Sequence, residues 1–133
     1  MNLLEVVETL ATEIKNNEHV HAMWLEGSYA TGKFDEHSDI DVWLDVDDGS
    51  FDEVFKFFKQ ELSKLGRIDE ETFGGIYSEN PKLAKRSYHL ASFPKEQVIE
   101  LDLQEHSRKF VFSRKHHVLK IFFDKDETIK WSD

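Results

Sequence analysis

The sequence predicts an α+β fold with a mixed sheet, and three observations carry that expectation. Apolar residues recur at helical spacing in two segments, whereas five other runs are rich in β-branched and aromatic residues and several of them alternate. No internal repeat or low-complexity linker divides the 133 residues, so 1–133 is expected to form a single domain.

In the first helical segment Leu3, Val7, Leu10, Ala11 and Ile14 form one apolar stripe, with Glu5, Glu8, Thr12, Glu13 and Lys15 on the solvated face. In the second, Phe51, Phe55, Phe58, Leu62 and Leu65 repeat the pattern, and this Phe stripe is expected to pack in the core. Ser50 followed by Glu53 resembles a capping box, and Gly66 suits a left-handed helix end. The strand runs are 19–25, 39–46, 86–93, 98–103 and 118–123. Gly74-Gly75, Asn80-Pro81 and Pro94 punctuate them and are expected in loops. The order is therefore helix, strand, short helix, strand, helix, then mostly strands.

Composition narrows the function. With 17 Lys+Arg against 27 Asp+Glu the formal charge is −10, which disfavours affinity built on neutralising nucleic-acid phosphates and suits a metal, a cationic substrate or a basic protein surface. The absence of Cys removes disulfides, thiolate catalysis and cysteine zinc sites. No apolar run approaches a membrane span, and Glu5 stands where a signal peptide carries a basic flank, so a soluble protein, cytoplasmic by default, is expected.

The informative stretch runs from Trp24 through Gly27-Ser28 to Lys33, followed by Ser38-Asp39-Ile40-Asp41-Val42-Trp43-Leu44. Side chains alternate along a strand, so Asp39 and Asp41 share a face while Ile40 and Val42 point to the core. Two carboxylates side by side repel each other unless a cation lies between them, and an oxygen-preferring divalent ion, above all Mg²⁺, resolves that conflict. Gly27 lets the backbone come close to a ligand, and Ser28 at the start of a helical turn offers its N–H and hydroxyl to a phosphate.

Gly27-Ser28, ten residues, then Asp39-Ile40-Asp41 resembles the signature of the DNA polymerase β-like nucleotidyltransferase superfamily, in particular its small bacterial members, the minimal and the antibiotic nucleotidyltransferases. Gly32 matches the second glycine usual there. The motif spans Gly27 to Asp41, and the order of elements agrees over most of the chain. The resemblance implies a polymerase β-like palm fold with helices packed on one side of a mixed β-sheet. It asks for a third carboxylate in an apolar frame on a later strand. Asp102, between Leu101 and Leu103, provides it, with Glu100 on the same face as the alternative. Asp39 and Asp41 would hold two Mg²⁺ ions, Asp102 would join on the catalytic one, and Asp102 would also stand nearest the attacking hydroxyl. Gly27 and Ser28 would meet a nucleoside triphosphate, ATP by preference. Lys33 either contacts that triphosphate or stands as an ordinary exposed lysine. The implied reaction moves a nucleoside monophosphate, AMP by preference, to a hydroxyl of a small molecule such as an aminoglycoside-like antibiotic. The alternative is a minimal nucleotidyltransferase antitoxin that binds and modifies a HEPN-type toxin. No polynucleotide template and no membrane partner are expected. The helical region that commonly follows the catalytic domain in antibiotic nucleotidyltransferases has no counterpart here, which leaves three expectations: a homodimer completing the acceptor site, a fragment, or a protein acceptor.

Other charged groups read as surface first. Nine acids and no Lys or Arg fall between Asp35 and Glu53, in a solvated loop and helix start or in an acidic rim for a cationic acceptor. Lys82, Lys85 and Arg86, and later Arg108, Lys109, Arg114 and Lys115, form basic clusters that either solubilise or meet phosphates. The pairs His19/His21 and His116/His117 have no third ligand at a recognisable metal spacing. Asp124 to Glu127 lacks the glycine of a calcium loop and is expected to turn a hairpin between 121–123 and 128–131.

Overall fold

The first residues fold as a helix because Asn2 and Glu5 close a reciprocal capping box: Glu5 N–H donates to Asn2 Oδ1 (2.8 Å) and Asn2 N–H to Glu5 Oε1 (2.9 Å). The computed structural model describes residues 1–77 and 80–133. Its elements are α1 (Leu3–Lys15), β1 (Val20–Glu26), α2 (Ser28–Thr31), β2 (Ile40–Val46), α3 (Phe51–Ser63), β3 (Ile68–Tyr77), β4 (Asn80–Leu90), β5 (Ile99–Glu105), β6 (Val111–Phe112), β7 (Lys120–Asp124) and β8 (Lys130–Trp131). Among the described residues six strands form one sheet in the order β3-β4-β5-β2-β1-β7, and β6 and β8 form a small second one. β2 and β5 pair in parallel and the other neighbours of the large sheet are antiparallel, so the sheet is mixed.

Alternation divides this sheet into two unlike faces. Ile40, Val42, Leu44 and Val46 of β2, with Ile99, Leu101 and Leu103 of β5, meet Val7, Leu10 and Ile14 of α1 and Phe55, Phe58 and Leu62 of α3 in one buried core. The two long helices thus lie on one side, as expected, and the Phe stripe packs. On the opposite face Ala22, Trp24 and Phe112 form a smaller cluster with the half-buried Trp43, Phe110 and Trp131. Asp41 and Asp45 of β2 and Glu100 and Asp102 of β5 stand on that second face. Among the described residues no helix is long and apolar enough to cross a membrane.

Several local expectations are corrected. Ser50 forms no capping box: its hydroxyl donates to the Asp47 carbonyl (2.6 Å) and so is turned away from the helix N–H groups. Gly66 lies beyond an ordinary right-handed cap at Lys64, packed against the Leu90 side chain. Gly74-Gly75 and Asn80-Pro81 lie within strands. A Cβ at Gly74 would stand 3.0 Å from the Lys85 carbonyl oxygen, so glycine permits the close approach of β3 and β4 where their register shifts. Pro81 falls among positions that the β3–β4 register skips, between Tyr77↔Asn80 and Ile76↔Ala84, where its missing N–H costs no ladder bond. The expected hairpin over 121–131 does not form, because β8 pairs with β6 rather than with β7.

Candidate functional site

The site begins where β1 ends. Gly27 takes φ +74° and ψ −152°, a conformation essentially confined to glycine, and its carbonyl accepts from the N–H groups of Ala30 and Thr31 to close the turn into α2. A Cβ at Gly27 would lie 2.4 Å from Asp41 Oδ2. Glycine here is therefore required twice, by the backbone and by the carboxylate that occupies the space beside it. Ser28, the first residue of α2, is half-buried, and Gly32 ends α2 in the left-handed conformation.

Asp41 faces away from the helices, between Glu26 of β1 and Glu100 of β5 in the strand registers. One strand position further, Trp43 pairs with Asp102. Asp41, Glu100 and Asp102 thereby share one face, as alternation along two parallel strands requires. Asp102 is 5% exposed. Burial pushes the Asp41 carboxyl up to about 7, and the hydrogen bond with Glu100 and the charges of Glu100 and Asp102 push it the same way. Glu100 moves down, because it accepts that hydrogen bond and lies beside Lys85, whose Nζ stands 3.4 Å from Glu100 Oε1. A proton held between Asp41 and Glu100 and the cation of Lys85 together offset the repulsion of the three acids.

Asp39 stands differently. It is exposed just before β2, and its Oδ1 accepts from the N–H of Val98 (3.1 Å), which ties the starts of the two parallel strands together. It is close enough to Tyr29 to help raise that phenol's pKa, after burial and Asp35, so it flanks the α2 turn. Lys33 is exposed just past the same turn, and its N–H donates to the Ser28 carbonyl (3.0 Å). The donor set on this end of the sheet is oxygen-only, which fits Mg²⁺ and disfavours softer ions.

A family model described as polymerase beta, nucleotidyltransferase, matches residues 8–88. The chain belongs to that family. The match spans Gly27, Ser28, Asp39 and Asp41 of this nucleotidyltransferase domain and stops short of Glu100 and Asp102. Comparison with curated proteins returns no match.

The basic clusters seen in the sequence are split by strand alternation. Lys85 faces the carboxylates, whereas Arg86 lies between the Phe55 and Phe73 rings, 4.3 and 4.7 Å from their centroids. Lys85 was hidden in the sequence among neighbouring lysines and arginines, and only the β4–β5 register, Lys85↔Asp102, sets it against the acids. Arg108 donates to Gln104 Oε1 (2.8 Å) and lies over Phe110. With Trp24, Glu26 and Trp43, it lines a cavity of about 200 Å³ on the carboxylate face. The Trp24 and Trp43 rings stack with centroids 6.0 Å apart, and Trp24 Nε1–H donates to Glu26 Oε2 (3.0 Å). An aromatic wall and two opposite charges thus adjoin the acids.

Proposed function

We propose that this domain transfers a nucleoside monophosphate, AMP by preference, from a nucleoside triphosphate to a hydroxyl of a small-molecule acceptor such as an aminoglycoside-like antibiotic. The observation that carries this reading is Asp41, a half-buried carboxylate set against Glu100 and Asp102 and beside a glycine whose missing Cβ makes room for it. Such a cluster is stable as three anions only with added positive charge. Two Mg²⁺ ions held by Asp39, Asp41 and Asp102 would lower the pKa of the acceptor hydroxyl and neutralise the triphosphate.

The chain's own residues would position the reactants. Gly27 and Ser28 lie where the triphosphate would approach Asp41, with Lys33 past the turn. Asp102 would accept the proton of the acceptor hydroxyl. As the new oxygen–phosphorus bond forms at the α-phosphate, the bond to the β-phosphate oxygen breaks and pyrophosphate leaves. Lys85, beside Glu100, would keep that carboxylate ionised. The cavity walled by Trp24, Trp43, Glu26 and Arg108 adjoins the acids and has room for part of an acceptor. Glu26 and the acids between Asp35 and Glu53 suit a cationic one.

The test is product analysis. The purified chain is incubated with Mg²⁺, each of the four ribonucleoside triphosphates and a panel of hydroxyl acceptors that includes aminoglycosides. Mass spectrometry should find an acceptor heavier by one nucleoside monophosphate, with release of one pyrophosphate, and Asp41→Asn should abolish it. Hydrolysis of the triphosphate with no acceptor adduct would contradict the transferase reading. An adduct confined to added protein would replace the small-molecule acceptor with a protein one.

A further inference from the structure

A second cluster of ligating groups lies on the same face of the sheet, at its other end. Asp45 is four residues along β2 from Asp41, roughly 13 Å of strand, and around it gather His21 from β1, His106 from the end of β5 and Asp126 from the turn after β7. We propose that His21, His106 and Asp126 form a binding site for a transition-metal ion of the Zn²⁺ type, distinct from the carboxylate site at Asp39 and Asp41.

Each ligand is held in place by separate structure. The β1–β2 register shifts between Val20 and Ala22, and the bulge places His21 as the extra residue, which is how bulges re-aim a side chain. The Lys125 N–H donates to the His21 carbonyl (2.8 Å), which brings the following Asp126 alongside. Asp124 fixes the far side of that turn by accepting from the N–H groups of Thr128 (2.8 Å) and Ile129 (2.9 Å). The His106 N–H donates to the Val46 carbonyl (2.7 Å), which anchors the third segment.

The ring nitrogens are assigned by the carboxylates behind them. Asp45 is 1% exposed. Its Oδ2 accepts from Gln104 Nε2 (2.7 Å) and its Oδ1 lies 2.6 Å from His106 Nδ1. A proton on Nδ1 leaves the Nε2 lone pair of His106 available to an ion. For His21, Asp47 Oδ1 is 2.6 Å from Nε2, and Nδ1, the nitrogen turned toward the site, is held by Asp126 Oδ2 at 2.5 Å, a contact that a bound ion would replace. The two imidazoles stack nearly parallel with centroids 3.9 Å apart. One ligand atom from each of His21, His106 and Asp126 lies within 4.8 Å of the others. Donors around a tetrahedral Zn²⁺ stand roughly 3.3 Å apart, so an ion would separate Asp126 from His21 Nδ1, and the exposed His106 ring would tilt out of its stack on His21 so that both lone pairs meet the ion.

Two nitrogens and one oxygen suit Zn²⁺ and its neighbours, and disfavour Mg²⁺, which prefers oxygen donors alone. Three protein ligands leave a fourth position. His106 and Asp126 also line a cavity of about 280 Å³ with Arg108, Phe110 and Lys130, so that position is reachable from solvent. No linear spacing reveals the set, because its members sit at 21, 106 and 126 and meet only through the sheet register and the 124–129 turn.

The experiment uses the full chain without an affinity tag. Zn²⁺ is titrated in competition with a chromogenic chelator, and Co²⁺ is followed by its visible absorption. The expected result is one Zn²⁺ per chain and intense tetrahedral Co²⁺ bands, with affinity reduced about tenfold or more in His106→Ala and in Asp126→Asn and unchanged in Asp41→Asn. Zn²⁺ should also raise the melting temperature of the parent and not of Asp126→Asn, whose exposed loop position leaves folding intact by circular dichroism. Failure to compete with the chelator, affinity in both ligand variants equal to the parent's, or loss of the ion in Asp41→Asn would each overturn the site.

Discussion

Gly27 and Asp41 depend on each other, since the carboxylate fills the space that a Gly27 side chain would need. A side chain at Gly27 would have to enter a backbone region that costs about 1–3 kcal/mol for other residues and would collide with Asp41 Oδ2 at 2.4 Å. Gly27→Ala is therefore expected to lower stability by about that amount in urea melts and to abolish Mg²⁺-dependent triphosphate binding. Asp41 gives the opposite sign. Its folded-state pKa of about 7 lies above the ordinary 3.8, so the folded protein holds the proton more tightly and, without metal, loses stability as pH rises from about 4 to 7. Asp41→Asn should consequently melt several degrees higher than the parent at pH 8 in chelator, and saturating Mg²⁺ should narrow the gap by stabilising the parent alone. The motif residues were legible in the sequence because their spacing is local. Glu100 and Lys85 were less so, since their closeness to Asp41 depends on how two other strands align with β2.

Helices and strands were legible where periodicity was strong. The stripes of α1 and α3 lie in the core, and the alternation of β2 and β5 assigns Ile40, Val42, Leu101 and Leu103 to the helix side. β3 is hard to read from sequence, because Ile68 to Tyr77 carries three acids and two glycines of low strand propensity among its ten residues, and pairing with β4 overrides that preference. The helix caps were missed in the opposite sense. Asn2 and Glu5 form the box that Ser50 and Glu53 do not, and Asn2→Ala should cost about 1 kcal/mol in chemical denaturation. β3 and β4 are also joined by a titratable pair. His89, 8% exposed, lies 2.7 Å from Asp69 Oδ1 through Nδ1 and 2.9 Å from the Pro94 carbonyl through Nε2. The hydrogen bond to Asp69 raises its pKa above 6.5, against the opposing effect of burial. A histidine raised in this way contributes stability that is complete below pH 6.5 and is lost as pH climbs through the folded-state value. Urea midpoints between about pH 6 and pH 9 should fall accordingly, and His89→Gln should flatten that slope.

For the molecule as a whole, the sheet separates the apolar core from the charged face that carries the candidate site. One face is sealed by α1 and α3, and the other gathers Asp41, Glu100 and Asp102 at one end and His21, Asp45 and His106 at the other. On the proposed reading that arrangement gives part of the charge of −10 a location: two Mg²⁺ would bring the formal value to about −6, and the proposed acceptor is a cationic small molecule rather than a polynucleotide. The match over 8–88 places the chain in its family, and on the proposed function the acids bind metal and triphosphate as one unit. Calorimetric titration of the chain with a non-hydrolysable ATP analogue, with and without Mg²⁺, tests this most directly. The expected result is binding that requires Mg²⁺ and is lost in Asp41→Asn. Equally tight binding in that variant, or binding indifferent to Mg²⁺, would contradict it.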